Sequence, residues 1–185
     1  TTEEETTEAE TEQQELTINA EQFGRILVQY YKTNAPASDS VYKSAESFRK
    51  LILEKTGLSV RVTRVRNVSP SEAITFLIGD TPYSETAKVK ESLPENSYAV
   101  RLIGRRVVII GSNEALTVKA LKDFCDKVLN NPELTKEGSI TIRPEDGFTV
   151  TLENGVYYVD APWLKKIMAT IIETSCERRT IRLTT

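Results

Sequence analysis

The sequence has no histidine among its 185 residues and only two cysteines, Cys125 and Cys176. Because Ser-His-acid and Cys-His hydrolases use histidine to move protons, its absence excludes both kinds of relay. Structural zinc takes four cysteine or histidine ligands, so any metal site would have to depend on carboxylates and the two cysteines. Neither a GxGxxG nor a Walker motif is present, so no nucleotide site is indicated. We therefore expect no cofactor and no metal.

Long apolar runs are also absent. No apolar segment approaches the ~20 residues that span a bilayer, so we expect no membrane-spanning segment. With 39% hydrophobic and 28% charged residues, the composition is typical of one globular domain with a buried core. The net charge of −3 includes six glutamates in residues 1–14, which leaves +3 for residues 15–185. This near balance argues against a nucleic-acid-binding protein, which would carry a strongly basic face.

Residues 1–14 read TTEEETTEAETEQQ and contain one alanine as their only apolar residue. With no apolar surface to offset the entropy of ordering, this segment is predicted to be a disordered acidic tail. A solvated terminus is the simpler interpretation. The alternative is a spacer that holds the domain off a membrane or wall, similar to the Thr/Glu-rich spacers of Gram-positive lipoproteins, although no anchor cysteine is present.

The clearest structural signal is a strand, turn, strand and helix in succession. Apolar residues alternate over 98–102, Gly104 opens a tight turn, and a second strand follows over 106–110. Asn113 then caps a helix over 114–130. The remaining predicted elements are a hairpin of Leu16–Asn19 with Arg25–Tyr31, helix 39–56, strand 58–65, strand 73–79, helix 84–93, strand 139–143, a hairpin of 148–152 with 156–159, a helix from Pro162, and a last strand Arg178–Leu183. Strand 73–79 is the most apolar, so we expect it to be central.

These elements predict an α/β (α+β) two-layer sandwich, in which two long helices, 39–56 and 114–130, pack on a mixed, largely antiparallel sheet. The runs ITFLIGDTPYSETAKVKE and ENSYAVRLIGRRVVIIG resemble the small α/β domain that precedes the catalytic barrel in glycoside hydrolase family 20, the β-N-acetylhexosaminidases. Related domains occur in α-glucuronidases and in secreted bacterial proteins. The resemblance covers 15–150, and we interpret 151–185 as a C-terminal extension that packs on the domain or leads into a further region.

The resemblance implies a non-catalytic accessory or scaffold domain of an extracytoplasmic bacterial protein, associated with glycans or the cell envelope. The alternatives are a glycoside hydrolase fragment without its barrel and a protein-interaction module. Family 20 catalysis depends on an Asp-Glu pair on a barrel, for which a chain of this length has no room. We therefore expect the isolated chain not to be an enzyme. We expect it to be secreted or lipid-anchored after removal of a signal, with carbohydrate, cell-wall material or a protein as its partner.

Four aromatic residues are candidate glycan contacts, because aromatic rings stack on sugar rings: Tyr83, Tyr157, Tyr158 and Trp163. Tyr83 lies in a predicted loop, and of the four aromatic residues it is the one whose presence is least explained by packing in a core. Tyr157 and Tyr158 are adjacent on a strand and point to opposite faces, so one of them is expected outside. Trp163 leads the helical stripe completed by Ile167, Met168, Ile171 and Ile172, a pattern more typical of core.

Two further features have a simpler interpretation than a site. Asp80 and Glu85 follow the strand that ends at Gly79, where ligand-binding loops are common, but Asp-Thr-Pro is also a turn and helix-cap sequence, and we favour the cap. Cys125 follows the apolar phase of its helix and is predicted to be a buried small hydrophobe. A disulfide with Cys176 is the alternative, which spacing alone leaves open.

Overall fold

The computed structural model describes residues 14–22, 24–30 and 39–177, with side chains as far as Ala169. The strands are β1 Leu16–Asn19, β2 Gly24–Gln29, β3 Arg61–Val65, β4 Ile74–Ile78, β5 Ser97–Ile103, β6 Arg106–Gly111, β7 Thr135–Lys136, β8 Ser139–Ile142, β9 Phe148–Glu153 and β10 Val156–Asp160. The helices are α1 Ser40–Thr56, α2 Ser84–Glu91, α3 Glu114–Val128 and α4 Pro162–Glu177, with a 3-10 turn at Pro144–Asp146. The predicted acidic tail, up to residue 13, and the predicted strand Arg178–Leu183 lie outside the described residues.

The large sheet has the order β10-β9-β5-β6-β4-β2-β3, and a small sheet has the order β1-β8-β7. Strands β3, β2, β4 and β6 are parallel, whereas β6, β5, β9 and β10 alternate in direction. Both pairings of the small sheet are antiparallel. In the described part of the chain, five of eight pairings are therefore antiparallel, which confirms the mixed, largely antiparallel fold class.

The predicted hairpin of β1 with β2 is wrong. β1 pairs with β8, with Ile18 opposite Ile140, while β2 lies between β4 and β3 and is parallel to both. The burial patterns explain this separation. β2 buries most positions on both faces, as a central parallel strand does, whereas Leu16 and Ile18 of β1 form a single buried face.

Helices α1 and α3 pack on one face of the large sheet, as predicted, and α2 packs on the other. The rings of Phe48, Phe76 and Phe124 meet edge to face with centroids 5.1–6.1 Å apart and tie α1, β4 and α3 together. All five residues of β4 are buried, which confirms its predicted central position. Asn113 caps α3 as expected, since its side chain accepts a hydrogen bond from the Leu116 amide at 2.9 Å.

The C-terminal part of the described chain forms one edge of the sheet. Asn154 and Gly155 have φ angles of 51° and 79°, typical of a type I′ turn, and the predicted hairpin is confirmed as β9 and β10. The predicted boundary at residues 150 and 151 lies inside β9. Trp163 packs against the core from α4, but Ile167 and Met168 are 50% and 55% exposed. Among the described residues, no helix has the length and hydropathy needed to cross a membrane.

Candidate functional site

An open groove lies between α3 and the edge of the sheet formed by β9 and β10. Its volume is about 370 Å³, and it is lined by Asp123, Asp126, Lys127, Phe148, Val150, Val159 and Trp163. Val150 and Val159 are directly opposite in the β9–β10 ladder, so both side chains lie on the face that α3 covers. We call this feature the α3–β10 groove. Its floor is apolar, and its charged groups come from α3.

Trp163 lines the groove, and the ring of Tyr157 lies next to it on the same side of the sheet. The Lys119 ammonium is 5.1 Å from the ring centroid of Tyr157, and the Lys127 ammonium is 5.3 Å from that of Trp163. Tyr157 precedes Val159 by two residues and shares its face of β10. The two lysines are eight residues apart on α3, which corresponds to about 12 Å along the helix axis.

Asp123 lies between these two lysines on α3 and is held by a buried phenol. The Tyr98 hydroxyl donates a hydrogen bond to Asp123 Oδ2 at 2.5 Å, and Lys119 Nζ lies 3.6 Å from Oδ1. Burial raises the pKa of Tyr98 well above its usual range, and the hydrogen bond to Asp123 adds to this shift. The phenol therefore stays a donor at neutral pH and orients the carboxylate as a fixed acceptor beside the groove.

Beside Trp163, Lys127 is held by the 3-10 turn. Its ammonium donates to the carbonyl of Glu145 at 3.1 Å and lies 3.5 Å from the buried carboxylate of Asp146. Burial lowers the pKa of Lys127 despite the opposing effect of Asp146. The buried Trp163 Nε1 has no hydrogen-bond partner among the described residues. An unpaired buried indole donor of this kind costs about 1–3 kcal/mol.

The structure brings two of the four candidate glycan contacts together, Tyr157 and Trp163. Tyr158 is 56% exposed and lies on the opposite face of β10. The expectation that packing does not explain Tyr83 is wrong, because Tyr83 is only 3% exposed and packs in the core cluster beneath α2. Its hydroxyl accepts a hydrogen bond from the Ser69 amide at 3.3 Å. The ring of Tyr83 is thus closed to a ligand.

The favoured cap interpretation of Asp80 is also wrong. The N-cap residue of α2 is Tyr83, and the carboxylate of Asp80 instead pairs with Lys90 at 2.5 Å. Asp80 lies in a polar crevice of about 410 Å³ at the carboxyl ends of β2, β4 and β6. There Gln29 accepts a hydrogen bond from the Asp80 amide at 2.9 Å and donates to Glu114 at 3.5 Å. The crevice groups satisfy one another, so it is a weaker candidate than the α3–β10 groove.

The predicted burial of Cys125 is confirmed. Its thiol is free and 8% exposed, and burial raises its pKa to about 12, which makes it unreactive at neutral pH. The side chain of Cys176 lies outside the described side chains. No cluster of three or more metal-ligating side chains occurs among the residues that the structure describes.

Sequence reasoning missed the charged residues of the groove. Asp123, Asp126 and Lys127 were not singled out, although a signal is present in the helix. Lys119, Asp123 and Lys127 recur at intervals of four and form one charged stripe along α3. Such a stripe is typical of any solvated helix face. In this fold the charged stripe forms one wall of a groove because the strand with the aromatic residues, β10, lies beside α3.

Neither a protein-family model nor a curated protein sequence matches this chain. Structural neighbours are glycoside hydrolase chains. They include a "GH138 enzyme targeting pectin rhamnogalacturonan II" (11% identity, TM-score 0.39), "CpGH84D" (11%, 0.40) and the "beta-N-acetylhexosaminidase from Bacteroides fragilis NCTC 9343" (14%, 0.32). The matches cover 66%, 68% and 70% of this chain but only 12%, 21% and 22% of those chains. These three TM-scores lie below 0.5, and the identities do not exceed 14%.

Proposed function

We propose that this chain is a non-catalytic accessory domain that binds a neutral oligosaccharide in the α3–β10 groove. The observation that carries this proposal is a groove with an apolar floor that is lined by Trp163 and Asp123, with Tyr157 on the same strand face as Val159 and next to Lys119. Aromatic faces pack against the C–H faces of sugar rings, and a carboxylate accepts hydrogen bonds from sugar hydroxyls. A mostly apolar cleft with a few oriented polar groups is the usual form of a small-ligand site.

The charge of the groove favours an uncharged ligand. Lys119 pairs with Asp123, Lys122 with Asp126 and Lys127 with Asp146, so three positive groups are balanced by three negative ones. The Lys122 ammonium lies 2.8 Å from the Asp126 carboxylate. A polyanion such as a nucleic acid would gain no net attraction here. Sugar hydroxyls, which both donate and accept hydrogen bonds, suit the mixture of acceptors and donors.

The placement of the carboxylates supports binding without cleavage. A glycosidase holds the scissile bond between two carboxyl groups on either side of it. In the groove, Asp123 and Asp126 both come from α3, whereas the strand wall contributes Phe148, Val150 and Val159. Each carboxylate also has a lysine partner. We infer that Asp123 orients a sugar and does not act as an acid or nucleophile.

We further propose, from the sequence resemblance, that the fold is that of the small α/β domain of family 20 glycoside hydrolases. On this proposal the domain works outside the cytoplasm as part of a larger envelope or glycan-processing protein, and residues 1–14 serve as a spacer. Locating the natural protein in cell fractions tests the placement. Recovery from the cytosolic fraction alone would contradict it.

Trp163 provides the test of ligand binding, because it is the only tryptophan in the chain. Its fluorescence should change saturably when neutral oligosaccharides and cell-wall fragments are titrated into the protein. Tyr157→Ala should weaken binding roughly 5-fold, since a stacked ring contributes about 1 kcal/mol. Tyr158→Ala is the matched control, because Tyr158 has similar exposure on the opposite face, and it should change affinity less than twofold.

Two outcomes would refute the proposal. If no carbohydrate in the panel perturbs Trp163, the groove does not bind glycans and a protein partner becomes the better candidate. Aryl N-acetylglucosaminides should remain intact in the presence of the protein. Turnover that Asp123→Asn abolishes would instead show that the groove is catalytic.

A further inference from the structure

β10 is an apolar strand at the edge of the large sheet. Its residues Val156, Tyr157, Tyr158 and Val159 are 45–56% exposed. In the described part of the chain, β9 is the only strand that pairs with it. An exposed apolar edge presents a row of unpaired N–H and C=O groups, which is a template for pairing with another strand. The outer edge of β10 is therefore a candidate site for pairing with another strand.

The opposite edge of the same sheet is protected in the usual way. β3 carries Arg61 and Arg64, and the Arg64 guanidinium is tied to Asp39 at 3.1 Å. Charged residues on an edge discourage pairing because pairing would desolvate them. β10 has no charged residue before Asp160, and Asp160 is itself paired with Lys165 at 3.0 Å. Charged residues thus protect the β3 edge of the sheet from pairing, whereas the β10 edge has no such protection.

The turn determines which backbone groups of β10 face outward. In a two-residue hairpin, the residues that flank the turn form a hydrogen-bonded pair, here Glu153 with Val156. Because hydrogen-bonded and non-bonded positions alternate, Tyr158 also directs its N–H and C=O towards β9. The N–H and C=O groups of Tyr157 and Val159 consequently point away from the sheet.

We propose that two copies of this chain pair through β10 in antiparallel fashion, about a two-fold axis that passes Tyr158. Tyr157 then lies opposite Val159 of the partner subunit, and the two equivalent pairs form four backbone hydrogen bonds. Each pair places an aromatic side chain opposite a β-branched one, which is a stabilising cross-strand combination. The two copies of Tyr158 face each other on the axis. The contact is isologous, as a closed dimer requires.

Other registers are poorer. If the two-fold axis passed Tyr157 or Val159 instead, only one pair of strand residues with outward-facing backbone groups would meet. The two strands would then form two hydrogen bonds instead of four. In the proposed register, Asp160 faces Val156 of the partner subunit, so like charges do not meet. Each tyrosine leaves roughly 100 Å² exposed, about half of an aromatic side chain. Such an interface falls below the ~1,200 Å² of stable complexes, and the dimer should dissociate on dilution.

The first test is sedimentation of the full chain from micromolar to millimolar concentration, which should show a reversible monomer–dimer equilibrium. Val159→Pro removes an outward N–H without touching the β9 ladder, and proline is tolerated at such edge positions. It should raise the dissociation constant roughly 10–50-fold, because two of the four hydrogen bonds are lost. Val159→Thr retains the N–H and is the matched control, with a change below threefold expected.

The second test reports the register. In a Cys176→Ser background, Tyr158→Cys should form an intermolecular disulfide, because directly opposite non-hydrogen-bonded residues have Cα atoms about 4.5 Å apart. Val156→Cys should not cross-link, since the two copies of residue 156 would lie about 14 Å apart along the strands.

Three results would overturn the proposal. One is a chain that stays monomeric at millimolar concentration, and another is a dimer that Val159→Pro leaves unchanged. The third is a dimer that forms only after deletion of residues 178–185, which would identify this chain's own terminus as the occupant of the edge. Carbohydrate binding is measured at micromolar concentration, where the monomer dominates, so the failure of either proposal leaves the other standing.

Discussion

Replacing Phe124 by alanine should be among the most damaging single changes to this fold. The ring is 1% exposed and forms edge-to-face contacts with Phe48 and Phe76, both at 6.1 Å between centroids. Truncation of such a residue removes apolar burial and leaves a cavity, which costs about 3–5 kcal/mol. For a chain of this length, that corresponds to a fall in Tm of roughly 6–20 °C.

Urea unfolding followed by circular dichroism measures this loss directly. Phe124→Leu should recover most of the stability, because it keeps much of the volume and costs less than about 1.5 kcal/mol. Lys122→Ala is the control on the same helix, since its side chain is 71% exposed, and its unfolding curve should match that of the parent protein. A loss below about 1 kcal/mol for Phe124→Ala would mean that the three-ring contact does not hold α3 on the sheet.

Two other changes test separate features of the fold. Gly111→Ala would place a methyl group 2.4 Å from the backbone carbonyl carbon of Leu116 and the backbone nitrogen of Thr117, so the start of α3 must move. We expect a loss of at least about 1–3 kcal/mol by thermal unfolding, whereas Ser112→Ala next to it should leave the Tm unchanged. The raised pKa of Tyr98 means that the folded state retains its proton longer than the unfolded state. Stability should therefore be full below about pH 10, the unfolded pKa, and fall above it, and a Tyr98→Phe variant with an equally steep alkaline loss would contradict this assignment.

The sequence predicts some residues of the candidate site, and only the tertiary structure reveals the others. Tyr157 and Trp163 could be named as candidate glycan contacts from their residue type and from the strand and helix that carry them. Their partners could not, because Lys119 and Lys127 come from another element and meet these rings only after α3 packs beside the edge hairpin. Tyr83 was misjudged for a related reason. Its position at the start of a short helix says nothing about the sheet face on which that helix lies.

The sequence alone determined the elements whose causes are local. Asn113 caps α3 through the third amide beyond it, and Asn154 with Gly155 supplies the positive φ angles of the β9–β10 turn. Only the tertiary structure decided which strands pair. β1 pairs with β8, more than a hundred residues away, whereas its Ile18 side chain only packs against Gly24 of β2 without any pairing between the two strands. Such pairing depends on the shape of the whole core, and no window of a few residues contains that information.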